Sequence, residues 1–593
     1  MNPIVSAPLP VLGAAWVPRA ALRTLAAAVA LLVVLGLWHA ALPAFGPLDY
    51  RFDEEPPETG ALPLSVPSAG KLIHLHTTVR VRAVHPWVFS IVPDDCLEHL
   101  SVNGRPAAFT GPICYAHGGG RVSLSGLLHA GVNSVDLDIS DNGGKGGLEL
   151  GVSLADPALL VFFAASLLVL FSYAVSLVRL SSRPRVGYGA LLVAAVGLGV
   201  RLPFVTAPGY SFDVRLFAGW AKSALELGVG PSYLSQVGDL MLPNYPPFSM
   251  EVLAVVGRAY RWLVDPAFDA ALPSCVGFMK LPAIGADVLT AVLLFFIVRR
   301  LHGGRLGAAL TAGLSYACNP AVLYESAVWG QVDAFFCLLA LASLATAATR
   351  RWTLAGALAA LAVLMKLQAF VILPTLALVC LMHRGAMKRL VLGAVSAIAV
   401  TLVPVWSVAA LGAIKDVYLH SAGFFPVLSM HAYNLWVALF GLKEQDRPDG
   451  QMLFGLLSYR GVGLALFGAI ALGLPLLLIG KLKAALTQPE RAAVLFLLPA
   501  ATAYAFFLFN TEMHERYLFP MMALGLPLVF VSRAGRYAYI GASALFLLNL
   551  LGVLPWADAD RALFRELPNL PAAIGACHVF AFGAVVHSLR RAA

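Results

Sequence analysis

Three clusters of ionisable and amide residues stand at the ends of long apolar runs: Ser211-Phe212-Asp213-Val214-Arg215, Trp329-Gly330-Gln331-Val332-Asp333 and Met513-His514-Glu515-Arg516-Tyr517. Charge at or near a bilayer is costly unless paired or hydrated, so such residues are functional candidates by default. If all three clusters face one side of the membrane, they can build one site. A carboxylate such as Asp213 can take the proton of an attacking hydroxyl. Cations such as Arg516, His514, Lys366 and Arg201 can hold an anionic leaving group, and Gln331 and Asp333 can orient a polar substrate. Tyr245, Asn434 and Trp436 complete the candidate sugar- or acceptor-contacting set.

The elements that must position these residues are membrane helices. Of 593 residues, 59% are hydrophobic and only 12% charged, and apolar stretches of roughly 20 residues recur along most of the chain. The formal charge of +9 falls largely in short loops between apolar segments, where Lys and Arg set topology, so nucleic-acid binding is not supported. Spans and basic loops together predict about fourteen transmembrane helices. They run at about 21–42, 157–178, 187–204, 276–298, 334–349, 369–382, 390–411, 460–480, 491–508, 518–532, 537–555 and 571–588, with shorter or irregular fifth and seventh members. The first follows Arg19 and Arg23 and reads as an uncleaved anchor rather than a signal peptide, being longer than a usual h-region. The loops holding Arg179 to Arg185, Arg299-Arg300, Arg350-Arg351, Lys388-Arg389, Lys481, Arg533 and Arg590-Arg591 then share the cytoplasmic side with both termini. The Asp213, Asp333 and His514 clusters face outward, to the periplasm of a bacterial inner membrane.

This gives four regions: a cytoplasmic tail and anchor helix (1–42), a periplasmic β-sandwich (43–156), a second helix with its cytoplasmic loop (157–186), and a transmembrane core (187–593) with outer loops at 205–275 and 412–459. In the soluble stretch, Leu72 to Val81, Trp87 to Val92, Val122 to Leu128 and Asn133 to Ile139 read as strands, and Asn103-Gly104 carries the signal of a type I′ hairpin. A lid, a partner-docking module and a glycan-binding module all remain open for it. Of seven cysteines, Cys96 and Cys114 alone lie in this region, and an oxidising compartment permits a bridge between them. The others read as packing thiols; Cys380 and His383 lack a second pair for a zinc site.

The first outer loop is too long for a connector. Asp213, Phe217, Trp220, Ala221, Ala224 and Leu225 have the spacing of an amphipathic helix, and a second helix can begin after Tyr245-Pro246-Pro247-Phe248. An outward-facing site has no nucleotide sugar or ATP, so group transfer there needs an activated donor delivered from the membrane. A polyprenyl-phosphate-linked sugar fits, with a glycan, lipid or protein hydroxyl as acceptor. No cofactor is required by this chemistry, although Asp213 and Asp333 could share a divalent ion with substrate phosphate.

The order Arg201, Phe212-Asp213, Tyr245-Pro246-Pro247-Phe248, Met279-Lys280 with Asp287, Asn319-Pro320 with Gly330-Gln331-Val332-Asp333, Lys366-Leu367-Gln368 and His514-Glu515-Arg516-Tyr517 resembles the GT-C superfamily of integral membrane glycosyltransferases. It is similar to the dolichyl- and polyprenyl-phosphate-sugar-dependent glucosyl- and mannosyltransferases, over about 190 to 535. The resemblance implies that Asp213 acts as general base, that His514 and Arg516 help hold the lipid phosphate, and that transfer inverts the anomeric carbon by direct displacement. The Gly-Gln-Val-Asp segment and the two helices with their β domain ahead of the core depart from that pattern, so the acceptor does not carry over.

Each residue also has a plainer reading. Asp213 could pair with Arg215; His514 and Arg516 could anchor a helix in the headgroups, since side chains two apart on a helix diverge. Lys366 could snorkel, and Gln331 and Asp333 could cap a helix. Asn434 and Trp436 could mark an interfacial turn. A transporter or flippase of lipid-linked glycan is the rival class, but repeated halves and midplane polar residues are not evident. Transfer of a non-sugar group to a lipid needs the same base and cations.

Overall fold

The computed structural model describes residues 43–152 and 184–591, apart from positions 54, 61–63, 69–70, 83–86, 94, 110, 115–119, 141–143, 206, 238–240, 269–272, 422, 454, 486–487, 489–491 and 556–557. The expected helices at 21–42 and 157–178 lie outside the described residues. The chain divides into two compact units, one of residues 1–113 and 120–203, the other of 114–119 and 204–593.

The first unit carries the strands. β1 (Ala44–Phe52), β2 (Glu58–Gly60), β4 (Ile73–Val81), β6 (Cys96–Val102), β7 (Arg105–Pro106) and β10 (Gly131–Ser140) form one sheet in the order β2-β1-β4-β10-β6-β7, with β8 (Ile113–Cys114) paired to β6. β3 (Leu64–Ser68), β11 (Gly144–Val152), β5 (Val88–Pro93) and β9 (Gly120–Ser123) form a second, in the order β3-β11-β5-β9. Strand alternation decides which side chains meet: Ile73, Leu75, Val79 and Val81 of β4 turn inward while His76 and Arg80 turn out, as a period of two demands. Inward residues of both sheets, among them Leu137 and Ile139 with Phe89 and Ile91, make one buried cluster. The Asn103-Gly104 turn has φ of 53° and 72°, the left-handed pair that an I′ hairpin requires. Cys96 and Cys114 are disulfide-bonded.

The second unit is helical. Counting the described residues of the whole chain, six helices are long and apolar enough to cross a membrane: Val186–Phe204, Ser274–Leu301, Ala386–Val405, Tyr459–Leu477, Arg533–Val553 and Leu570–Arg591. Leu306–Ala317 with Pro320–Trp329 passes only as a pair bent by 43°. Asp333–Ala348, Trp352–Met365, Leu367–Leu381, Val494–Phe509 and Phe519–Val531 are apolar but shorter. Of the fourteen expected spans, two fall outside the described residues; of the rest, six are long enough to cross alone, one is the bent pair and five are shorter. Apolar run length counts a broken helix as one span, whereas Asn319-Pro320 breaks the fifth and the stretch at 518–532 splits into Phe519–Leu524 and Leu528–Val531. The stretch between Val186–Phe204 and Ser274–Leu301 holds Ser211–Glu226 and Pro247–Leu263, the latter with Pro in its first turn, where a missing N–H costs nothing.

The bridge closes a loop whose chain-entropy worth is about 3 kcal/mol. Replacing Cys96 and Cys114 together by Ser in the full chain is expected to destabilise the β domain by roughly 2–4 kcal/mol, read as faster amide exchange in β6 and β10. Unchanged exchange would show that the bridge contributes nothing.

Candidate active site

The site begins with a lysine. Lys280, on Pro273–Leu301, is fully buried. Its ammonium donates to the main-chain carbonyls of Ala207 (2.6 Å), Ala327 (3.0 Å), Val328 (3.1 Å) and Phe204 (3.2 Å). This ties the segment before the Asp213 helix to the π-helical turn Tyr324–Trp329. Two glycines make the approach possible. A Cβ at Gly209 (φ +74°) would meet the Trp329 carbonyl at 2.5 Å, and one at Gly330 (φ +95°) would meet Val214 at 2.9 Å. Both positions are left-handed, the region glycine adopts without steric cost.

So held, Tyr210 stacks on Trp329 with ring centroids 4.9 Å apart. The Trp329 indole donates to Asp213 Oδ2 at 2.8 Å, and the Gln331 amide donates to the same oxygen. No hydrogen bond reaches Oδ1 among the described residues, so one oxygen orients the carboxylate and the other keeps its lone pairs. Asp213 lies in the first turn of Ser211–Glu226 and is 7% exposed. It does not pair with Arg215, whose guanidinium donates to the Ser211 carbonyl at 3.3 Å.

Asp333 and Lys366 form a buried ion pair. Lys366 also lies over the rings of Tyr245 (5.2 Å) and Tyr517 (5.6 Å), so it does not snorkel. Asp333 opens Asp333–Ala348, and its N-cap Val332 makes no side-chain cap bond. Neither Gln331 nor Asp333 is spent as a cap.

The segment between Val494–Phe509 and Phe519–Leu524 is not helical, which removes the objection that His514 and Arg516 would diverge. Glu515 takes the Arg516 guanidinium at 2.7 Å and lies 3.8 Å from His514 Nδ1. Burial alone would raise the Glu515 carboxyl, but Arg516 and His514 outweigh it and hold it at about 2. Burial, then Arg516, push the His514 imidazole below its ordinary value. Burial works against the Arg516 charge, and Asp213 and Glu515 outweigh it. Burial also raises the Tyr245 phenol, with Lys366 and Arg516 pulling it down and Asp333 and Asp213 pushing it up. One tyrosine therefore lies within electrostatic reach of the base candidate and of both cations.

Beside it opens a cavity of about 640 Å³. Tyr245, Lys366 and Tyr517 line it, and so do Phe370, Phe467 and Phe506, three rings packed edge-on at 5.3–5.9 Å.

Two other candidates serve the backbone. Asn434 accepts from the Trp436 and Val437 amides and donates to the Phe507 and Asn510 carbonyls; the Trp436 indole donates to the Phe509 carbonyl at 2.9 Å. Arg201 belongs to the other unit, is fully buried and donates to the Gly197 carbonyl at 2.9 Å. No group of three or more His, Cys, Asp or Glu is placed to hold a metal ion among the described residues; Asp213 and Asp333 have the partners given above. Roles for Lys280, Trp329 and Glu515 were not assigned from sequence. Lys280 could have been flagged, since a lysine inside an apolar span is a functional candidate.

No protein-family model matches the chain, and no curated protein does. Solved structures that resemble it include the following two. The archaeal oligosaccharyltransferase AglB from Archaeoglobus fulgidus, in complex with an inhibitory peptide and a dolichol-phosphate, is 13% identical with a TM-score of 0.33, over 67% of this chain and 55% of that one. The arabinosyltransferase EmbB from Mycobacterium smegmatis is 13% identical with a TM-score of 0.33, over 98% of this chain and 64% of that one. The chain thus spans between half and two thirds of the length of these structures.

Removing one partner of a buried ion pair strands the other charge. Asp333→Asn is expected to cost about 3–5 kcal/mol, seen as a lower thermal midpoint in detergent. The double variant Asp333→Leu with Lys366→Met should recover most of that loss. A double variant that falls as far as the two singles added would show that the residues do not act as a pair.

Proposed function

We propose that the protein is a membrane glycosyltransferase that moves a sugar from a polyprenyl-phosphate-linked donor to an acceptor hydroxyl on the outer face of the membrane, with inversion at the anomeric carbon. The observation that carries this reading is Asp213. A buried carboxylate is fixed through one oxygen by Trp329 and Gln331, with Arg516 and Lys366 near the same tyrosine. The order of motifs resembling the GT-C superfamily agrees with it.

In the proposed reaction the acceptor hydroxyl gives its proton to Asp213 as its oxygen bonds to the anomeric carbon. The bond from that carbon to the phosphate oxygen breaks, and its electron pair leaves with the lipid phosphate. Arg516 and Lys366 stabilise the charge developing there, where a low-dielectric surround strengthens each contact. His514, through Glu515, sets the Arg516 fork. Gln331 orients the base, and Tyr245 separates base from phosphate. The Lys366 end of the cavity would hold the phosphate and the aromatic wall the first isoprenoid units. The outer face is the bacterial periplasm in this reading, and the acceptor is a glycan, lipid or protein hydroxyl.

Two measurements test it. Asp213→Asn keeps shape and removes the proton acceptor, so turnover should fall on the order of a hundredfold or more, while Arg516→Ala should weaken donor binding or phosphate departure. Wild-type transfer by Asp213→Asn, with Arg516→Ala impaired, would move the base elsewhere. For the face, cysteines placed at the exposed Ser235 and Asp446 should react with an impermeant thiol reagent in intact cells, above the background of the unsubstituted chain. Labelling that requires broken cells would put the site on the cytoplasmic side.

A further inference from the structure

The larger sheet of the β domain carries two histidines side by side on its outer face. His74 and His76 are two apart on β4, so both side chains leave the same side of the strand. The β4–β10 register sets Asp138 beside His74 and Asp136 beside His76. Both pairs close in the same way: His74 Nδ1 lies 2.7 Å from Asp138 Oδ1, and His76 Nδ1 lies 2.7 Å from Asp136 Oδ1. An ionised carboxylate only accepts, so in each ring Nδ1–H is the donor and the lone pair sits on Nε2. Asp136 is held in turn by the hydroxyls of Ser134 at 3.2 Å and Ser101 at 3.5 Å. One such pair across two strands is ordinary sheet cohesion. Two in adjacent rows, each with its carboxylate on the nitrogen opposite the free one, reproduce the outer-shell bonds that orient metal-binding imidazoles.

We propose that His74 and His76 chelate one divalent transition-metal ion through Nε2, with Asp138 and Asp136 orienting the rings. Alternate residues of a strand have Cα atoms roughly 6.6 Å apart, and two metal–nitrogen bonds of about 2.0–2.1 Å bring the nitrogens within about 4 Å. The side chains are 31% and 47% exposed, which leaves the rings room to lean together. The surrounding charge favours a cation. In the same two rows β1 adds Arg51 and Asp49, and β6 adds His99 and Ser101, so three carboxylates stand against one guanidinium. Imidazole suits Zn²⁺ and Cu²⁺, with Cu²⁺ ahead, whereas Mg²⁺ and Ca²⁺ need a set of oxygen ligands. No third His, Cys, Asp or Glu completes the set among the described residues. Water therefore fills the remaining positions, and the ion is exchangeable. The site does not depend on the reaction proposed above.

The test uses the full chain in lipid nanodiscs with Zn²⁺, Cu²⁺ and Mg²⁺ as probes. The wild type should bind one equivalent of Zn²⁺ or Cu²⁺ that the double variant His74→Gln with His76→Gln lacks. Each single histidine variant should weaken that equivalent on the order of tenfold or more, because the second bond of a chelate forms within the molecule. His99→Gln should leave it unchanged. Asp138→Ala and Asp136→Ala should each weaken it by about 10–100-fold. A second readout needs no variant: saturating Zn²⁺ should slow carbethoxylation of His74 and His76 by diethyl pyrocarbonate, but not of His99, as read by peptide mass spectrometry. Equal stoichiometry in the double variant, or carbethoxylation that Zn²⁺ does not alter, overturns the proposal. Full affinity in both aspartate variants, or displacement of the bound Zn²⁺ by excess Mg²⁺, overturns it as well, since either would mean a solvated charged face without oriented imidazole ligands.

Discussion

The site depends on one buried ammonium. Lys280 is taken wholly out of solvent, at a cost of several kcal/mol for an unpaired ion, and no carboxylate among the described residues pairs with it. Four main-chain carbonyls do, as charge-assisted hydrogen bonds each worth more than a neutral one. Two of them, Ala327 and Val328, lie at the C-terminal end of a helical turn, where unpaired carbonyls and the helix dipole both favour a cation. An ammonium has three protons and four acceptors in reach, so it tolerates small shifts while keeping the two segments together. A carboxylate partner would have fixed one side chain. Carbonyls fix the backbone, and through it Trp329, Gln331 and the start of the Asp213 helix.

The other buried charges follow a different rule. Asp333 with Lys366, and Glu515 with Arg516, are paired side chain to side chain, which makes each nearly neutral to its surroundings while leaving a cation's remaining donors unspent. Arg516 Nε has no hydrogen-bond partner among the described residues. Such a pair can offer hydrogen bonds to an anion without presenting a naked charge to the apolar interior. Asp213 is the exception, since its two donors are an indole and an amide, both neutral. Neutral donors orient a carboxylate without neutralising it, and so preserve its ability to accept a proton.

Much of this could be read from the sequence, and the rest had physical reasons to stay hidden. The three ionisable clusters stood out because charge is rare in an apolar chain, and Asp213, Lys366, Asp333 and Arg516 do lie around Tyr245. The hairpin at Asn103-Gly104 was legible because its turn type demands those residues. The strands Ala44–Phe52 and Gly144–Val152 were not. The first carries Gly46-Pro47 at a register shift, and the second is rich in glycine, so neither shows clean alternation. Apolar run length located the segments but not their continuity, because composition does not register Asn319-Pro320 as an interruption. Lys280 could be flagged as a lysine inside an apolar run, but the four carbonyls that hold it could not, because backbone acceptors leave no mark in residue type.

A base and a phosphate site pose an electrostatic conflict that this arrangement resolves. Two like charges 4 Å apart at an effective dielectric of about 20 repel by about 4 kcal/mol, so a carboxylate facing an anionic phosphate would drive the donor out. Asp333 and Glu515 are each hydrogen-bonded to a cation, whereas Asp213 is hydrogen-bonded to neutral groups and feels Arg516 through the field. It is also absent from the lining of the cavity, whereas Tyr245 belongs to it. In the proposed reaction the neutral Tyr245 phenol stands near both, and Lys366 lines the cavity that would take the phosphate. Under the proposed reaction the second negative charge develops on the phosphate as Asp213 takes the acceptor's proton and loses its own, so the two do not build up together.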